Sequence, residues 1–295
     1  MTSPHADGAS DHGSAGCAPA ETVAALEKSA QREAVLTGPS DKLAEVWQQL
    51  STVADPELDQ SVTDMKFISA LDIDTQDRVA VQFRLPTYWC AANFAFMMAD
   101  DMRAAVSALP WVKTVSVVLD EHMYAGKINT GLAEGRSFQA TFGDEADGDI
   151  DDVRKIFLRK AFQRRQEAMI LHLRELGHTP DRLIAMTLGD LDALNLDAAG
   201  ATARARYHER RAVAGPASPG ALVVVTPDGA ALTIATLPAH LKALRSVRIN
   251  AEFNGALCSG LLSARYEFDT ASPLMTPQNR RAAAPNATPE SQFST

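Results

Sequence analysis

Two runs of alternating apolar and polar residues, joined by a short polar turn, constrain this chain more than any other feature. In the first run, Met65, Phe67, Leu71 and Ile73 share one strand face, with Ser69 interrupting. In the second, Val79, Val81, Phe83 and Leu85 share a face while Arg78, Gln82 and Arg84 point away. Asp74 to Asp77 supplies the turn. A strand pair with one apolar face must bury that face under another layer. Helical patterns on either side provide the cover. Ser40 is a candidate N-cap for a helix carrying Leu43, Val46, Trp47, Leu50 and Val53 on one stripe. It ends at Asp55-Pro56-Glu57, because a proline disfavours helix at the residue before it. Pro86 and Thr87 stop the second strand. A second helix is then predicted from about Trp89 to Leu109, with Phe94, Met98, Met102, Ala105 and Leu109 on one side and Pro110 as its stop. Val112 to Leu119 reads as a third strand. The expected fold class is α+β, with a compact α-β-β-α-β domain over residues 39–122.

Residues 1–38 are rich in Ala, Ser, Gly, Asp and His and read as a disordered tail. Residues 123–148 read as a loop. Residues 149–214 read as a helical extension. Its first helix starts at Asp149, carries Asp151 and Asp152 in its first turn, and ends near Leu176 with Gly177 as C-cap. Thr179-Pro180 marks the start of a shorter helix to about Leu188. Residues 215–269 read as a small β-hairpin around Pro227-Asp228-Gly229, followed by a helix from Pro238 to about Val247. Residues 270–295 return to Pro, Ala, Asn and Ser, and read as a second disordered tail.

The charge balance narrows the partners. Asp and Glu number 37 against 28 Lys and Arg, for a net charge of −9, which argues against nucleic-acid and anionic-membrane binding. No apolar run approaches the roughly 18–20 residues of a membrane helix. The N-terminus lacks the basic and apolar regions of a secretory signal. The 3 cysteines, Cys17, Cys90 and Cys258, are too few and too scattered for a disulfide framework. The expected setting is the cytoplasm, with reduced thiols.

Chemistry concentrates on Cys90. With Thr87 as cap, Cys90 is predicted in the first turn of the second helix, where free N–H groups and the helix dipole favour a thiolate. Arg84 is positioned to add positive potential. Free cysteine is also among the most buried residue types, so packing remains the competing reading. Asp55 and Glu57 flank a rigid proline and either bind a cation, accept backbone N–H bonds or face water. His122 is a candidate ligand or titrating group. Cys258, among small neighbours, reads as a buried structural cysteine. His5, His12 and Cys17, like His172 and His178, match no metal spacing and read as noise. Arg154, Lys155, Arg159, Lys160, Arg164 and Arg165 read as a solvated face of the long helix. No phosphate-loop signature occurs, so no nucleotide is expected.

Taken together, Val53-Ala54-Asp55-Pro56-Glu57-Leu58, Thr87-Tyr88-Trp89-Cys90 and the closing Leu109-Pro110-Trp111-Val112 resemble the metal–sulfur cluster biosynthesis family that includes SufT-like and PaaD-like proteins. The resemblance spans about Ser40 to Glu121. It implies an iron–sulfur cluster assembly or maturation factor rather than a turnover enzyme. The cofactor would be an iron–sulfur cluster or iron, transiently bound. Carried over, the family's cysteine falls on Cys90, as cluster or metal ligand, with Asp55, Glu57 and Thr87 around it. The implied partners are other assembly factors or a client metalloprotein, such as an iron–sulfur or di-iron oxygenase component. Two departures stand out. Ala91 replaces the proline that often follows the cysteine, and the C-terminal region carries only Cys258 in place of a cysteine-rich metal site. One thiolate cannot hold a cluster that needs four ligands. Cys90 would require a homodimer, a partner protein or small thiols. Two other classes compete: a metal-free adaptor that chaperones a partner, and a cysteine-dependent enzyme with His122 as base.

Overall fold

A computed structural model describes residues 34–145 and 149–268. The expectations of disordered tails, and those concerning His5, His12 and Cys17, otherwise lie outside the described residues. The fold is α+β, and a strand not foreseen from the sequence opens it. Strand β1 (Val35–Thr37) pairs in parallel with β2 (Ile68–Ile73), which runs antiparallel to β3 (Arg78–Phe83). Strand β4 (Thr114–Leu119) lies parallel to β3, giving a four-stranded sheet in the order β1-β2-β3-β4. β1 has 3 residues, all exposed, so it carries no burial pattern that a sequence reading could detect.

The alternation of the hairpin is realised. Leu71 faces Val81 and Ile73 faces Val79, all buried. Ser69, which interrupts the pattern, sits at a register shift between Ile68 and Ala70. The bulge lets both Ile68 and Leu71 reach the core in spite of their odd spacing. Asp74 Oδ1 closes the turn by accepting from the Gln76 and Arg78 amides at 2.9 and 3.0 Å. Helix α1 (Ser40–Thr52) buries Val46 and Leu50. Helix α2 (Ala92–Ser107) buries Ala95, Met98, Ala99, Met102 and Val106.

The expected loop over 123–148 is largely helical. Helix α3 (Ala125–Ala133) places Ile128 and Leu132 in the core, and α4 (Phe138–Phe142) stacks Phe138 and Phe142 beside them. The two helices approach closely at Gly131, where a Cβ would come within 2.3 Å of Thr141 Oγ1. Gly131, inside the segment expected to be a loop, is therefore a packing position. Asn129 also protects the edge strand. Its amide donates to Leu119 O at 3.0 Å and accepts from Leu119 N at 2.9 Å, taking the place of a neighbouring strand.

A second core forms in the C-terminal region. Helix α5 (Ile150–Glu175) is capped by Asp149 and ends before Gly177, whose φ is +86°, as the sequence suggests. Short helices α6 (Pro180–Ala185) and α7 (Leu188–Asp192) lead into α8 (Ala198–Arg211). Residues 222–236 do not form the expected hairpin. The turn exists, with Gly229 at φ +82°, but only an isolated bridge joins Val225 to Ala231. Helix side chains satisfy the backbone instead. Gln166 exchanges two hydrogen bonds with Val225, at 2.8 and 3.0 Å, and the Tyr207 hydroxyl donates to Val223 O at 2.6 Å. The last helix runs far beyond Val247. Helix α9 (Leu237–Phe268) spans 32 residues and passes through Gly255 and Gly260 without a break.

The basic residues of α5 are not simply a solvated face. Arg154 grips Asp101 of α2 through two bonds, at 2.6 and 3.0 Å. Arg165 makes a bidentate pair with Asp59 at 2.5 and 2.8 Å, and Arg210 of α8 adds a contact at 3.1 Å. The Asp59 and Arg165 side chains are only 6% and 8% exposed. Asp59 also has φ +49°, which asparagine tolerates. Asp59→Asn keeps the backbone and removes the charge, leaving buried guanidinium groups undercompensated. A loss of about 3 kcal/mol is expected, read as a lower urea midpoint with an unchanged slope.

Candidate functional site

Cys90 lies in the connection between β3 and α2. The helix begins at Ala92, with Ala91 as N-cap, so Cys90 precedes the helix instead of occupying its first turn. The cause is local: residues 86–89 form bends and a turn that delay the helix by three residues. Thr87 is not the cap. Its hydroxyl lies 3.1 Å from Cys90 Sγ. An O–H donated to the sulfur stabilises a thiolate directly. Cys90 is half-buried, between exposed Tyr88 and Trp89 and the first core. The next turn of the chain at this end of the sheet fixes its backbone. Met123 N donates to Tyr88 O at 2.9 Å, and His122 Nε2 lies 2.7 Å from Cys90 O.

The tautomer of His122 follows from its neighbours. Nδ1 accepts from Tyr124 N at 3.2 Å, so Nε2 carries the proton and donates to Cys90 O. Burial holds the imidazole below its usual range, which keeps it neutral. Both ring nitrogens are thus engaged by backbone. His122 positions the Cys90 loop; it is not aimed at the sulfur as a general base would be.

Asp55 is buried, 8% exposed, just beyond α1. Its Oδ1 accepts from Leu58 N at 2.8 Å, so the turn after Pro56 is built on this carboxylate. Burial raises its pKa to about 6, with Glu57 adding to the effect. Glu57 in turn accepts from Asn254 Nδ2 of α9 at 2.9 Å.

That contact introduces residues that sequence reasoning did not place. Helix α9 lies across the domain with one face inward. Asn254 meets Glu57, Gly255 approaches Leu58, and Leu262 is buried in the first core. Further along, Arg265 donates to Leu85 O at 3.0 Å and to Glu121 O at 2.5 Å. Tyr266 lies under the Arg84 guanidinium at 4.2 Å. Cys258 occupies the same inward face, half-buried against the same core as Cys90. Burial pushes its thiol up to about 11, and the charges of Asp55, Cys90 and Glu57 push in the same direction. The spacing of Asn254, Cys258 and Leu262, each four residues apart, was the available signal. Among the described residues, no three His, Cys, Asp or Glu side chains converge closely enough to hold a metal ion.

The sign of the Asp55 effect is definite. A carboxyl whose pKa is raised by folding contributes stability below its unfolded value, near 3.8, and loses it as pH rises through about 6. Asp55→Asn retains an acceptor for Leu58 N without the buried charge. Above pH 6 it is expected to exceed the wild type in stability by on the order of 2 kcal/mol, with the gap closing towards pH 4. Denaturation curves over that range measure it.

Comparison with known proteins agrees with this architecture. The profile of the family described as "Iron-sulfur cluster assembly protein" matches residues 43–117, from α1 into β4. An uncharacterized protein of Methanocaldococcus jannaschii is 32% identical over 90 residues, which cover 30% of this chain and 93% of that protein. No solved structure matches the chain. No helix among the described residues is long and apolar enough to cross a membrane. The match takes in the acidic turn, the Cys90 connection and strands β2 and β3, and through this domain the chain belongs to the iron–sulfur cluster assembly protein family, with a role in that process.

Proposed function

We propose that the protein carries an iron–sulfur cluster, or the iron for one, as cargo on Cys90 and delivers it to a client metalloprotein, in the manner of SufT-like and PaaD-like factors. The supporting observation is Cys90 itself, half-buried, with the Thr87 hydroxyl 3.1 Å from its sulfur. A thiolate is the soft ligand that iron–sulfur clusters take. Transfer is ligand exchange: an incoming client thiolate replaces the Cys90 sulfur on iron, and no electron moves. A carrier needs a hold that is easily released. In this reading the carboxylates of Asp55 and Glu57 would add negative charge that favours a cationic load. The client would be an iron–sulfur or di-iron oxygenase component, met in the cytoplasm.

Tyr88 and Trp89 support the delivery step. They are 52% and 72% exposed and flank the sulfur-bearing connection. Large aromatics at this position are the usual anchors of a protein interface.

Anaerobic reconstitution with iron, sulfide and glutathione, followed by absorbance and iron counting, tests the carrier role. The wild type is expected to load, and Cys90→Ala to lose most of its iron. Full loading of Cys90→Ala would refute the role of the sulfur and leave the metal-free adaptor. In the same assay Trp89→Ala is expected to load normally but to pass its cluster to an apo-ferredoxin acceptor about tenfold more slowly.

A further inference from the structure

A cavity of about 360 Å³ opens where four segments meet: the turn at residues 58–60 of the family domain, α5, α8 and α9. None of Cys90, Thr87, Asp55 or Glu57 lines it. Its wall carries four arginines, Arg164, Arg165, Arg206 and Arg248, against two carboxylates, Asp59 and Glu252. Two of the four are neutralised. Arg165 pairs with Asp59 and Glu209, and Arg248 with Glu167 and Glu252. Asp59 is itself shared with Arg210. The other two have no carboxylate. Arg206 donates to the Asp59 carbonyl at 3.1 Å, a neutral acceptor. The Arg164 guanidinium makes no hydrogen bond or ion pair among the described residues, and its Nε is buried without an acceptor. Burial works against its charge, and the neighbouring Arg165 and Arg206 add to that. A guanidinium stays protonated in a protein, so a buried donor of this kind costs stability until an acceptor meets it. The chain as a whole has a net charge of −9, which makes two unanswered cations at one cavity stand out. The rest of the wall is apolar, with Leu58, Ala168, Ala203 and Ala251.

We propose that this cavity binds a small organic oxyanion, a carboxylate or phosphate on a short carbon body, with its charged head on Arg164 and Arg206 and its body against the alanines. Each guanidinium offers a planar fork of donors that matches the oxygens of either head. The volume suits a molecule of metabolite size. The site stands apart from the carrier reading, because none of the groups around the Cys90 sulfur takes part. Arg164 belongs to α5 and Arg206 to α8, so a bound anion neutralises two like charges on facing helices. It also touches the turn of the family domain that carries Asp59. Occupancy therefore stabilises the junction of the two cores, because the anion binds the folded chain and not the unfolded one.

Isothermal titration of the full chain with glycerol phosphate and, separately, with succinate tests the site, with ionic strength held constant by chloride. At least one of the two is expected to bind at a single saturable site. Binding of glycerol phosphate alone assigns a phosphate head, and binding of succinate alone a carboxylate. Arg164→Gln is expected to weaken the bound anion at least about tenfold. Lys113→Gln removes an exposed positive charge outside the cavity and is expected to leave the affinity unchanged. No saturation by either anion up to about 10 mM would overturn the inference, as would equal weakening in Lys113→Gln, which would mean unspecific attraction. A second measurement needs no variant to bind. In the wild type the anion is expected to shift the arginine Nε–H magnetic resonance signal that is missing from Arg164→Gln. A signal that stays in place while the anion binds would put the ligand elsewhere and reject the assignment.

Discussion

The Asp59 carboxylate ties the two halves of the protein together. It sits in the turn after Pro56, in a backbone conformation of positive φ, and accepts from Arg165 of α5 and Arg210 of α8. Arg206 adds a bond to the Asp59 carbonyl at 3.1 Å. Three arginines from two helices thus converge on one residue of the family domain. A buried ion pair of this kind adds little net stability, but it tolerates few alternative arrangements. It sets where α5 and α8 stand against the sheet. Helix α9 packs along α5 with Arg248 bonded to Glu167 at 3.0 Å, and so inherits that placement. The position of Cys258 therefore traces back to a carboxylate four residues beyond Asp55.

Burial opposes ionisation at two groups of the site. Asp55 and Cys258 are pushed towards their protonated forms chiefly by burial, with Glu57 adding to both and Asp55 to Cys258. The Thr87 hydroxyl lies 3.1 Å from Cys90 Sγ. His122 spends both nitrogens on backbone. The carboxylate that weakens the fold at neutral pH is retained in the motif that carries the resemblance to the family.

Much of this was legible in the sequence where local pattern decides the outcome. The alternation of Val79, Val81 and Phe83, the turn at Asp74, and the Asp149 and Gly177 boundaries all express backbone preferences that act within a few residues. Asp55-Pro56-Glu57 and Thr87-x-x-Cys90 were readable as motifs, although the helix start at Ala92 was not, because bends at residues 86–89 outweigh the capping preference of Thr87. What escaped depends on distant partners. The strand Val35–Thr37 exists through its pairing with β2. Residues 222–225 carry strand composition, yet Gln166 and Tyr207 take their hydrogen bonds. The last helix, expected to end near Val247, continues through Gly255 and Gly260 to Phe268, where packing of α9 outweighs the low helix propensity of glycine.

Helix α9 belongs to both cores. Leu237 and Leu244 are buried in the second, and Leu262 in the first. From Leu244 to Leu262 is about 27 Å of unbroken helix at 1.5 Å per residue. A single rod embedded at both ends makes the melting of one region the concern of the other, because fraying at either end strips apolar cover from a neighbour. The family domain, which elsewhere stands alone at some 90 residues, is here welded into a larger cooperative whole, and whatever strains that rod on one side is felt at the sulfur on the other.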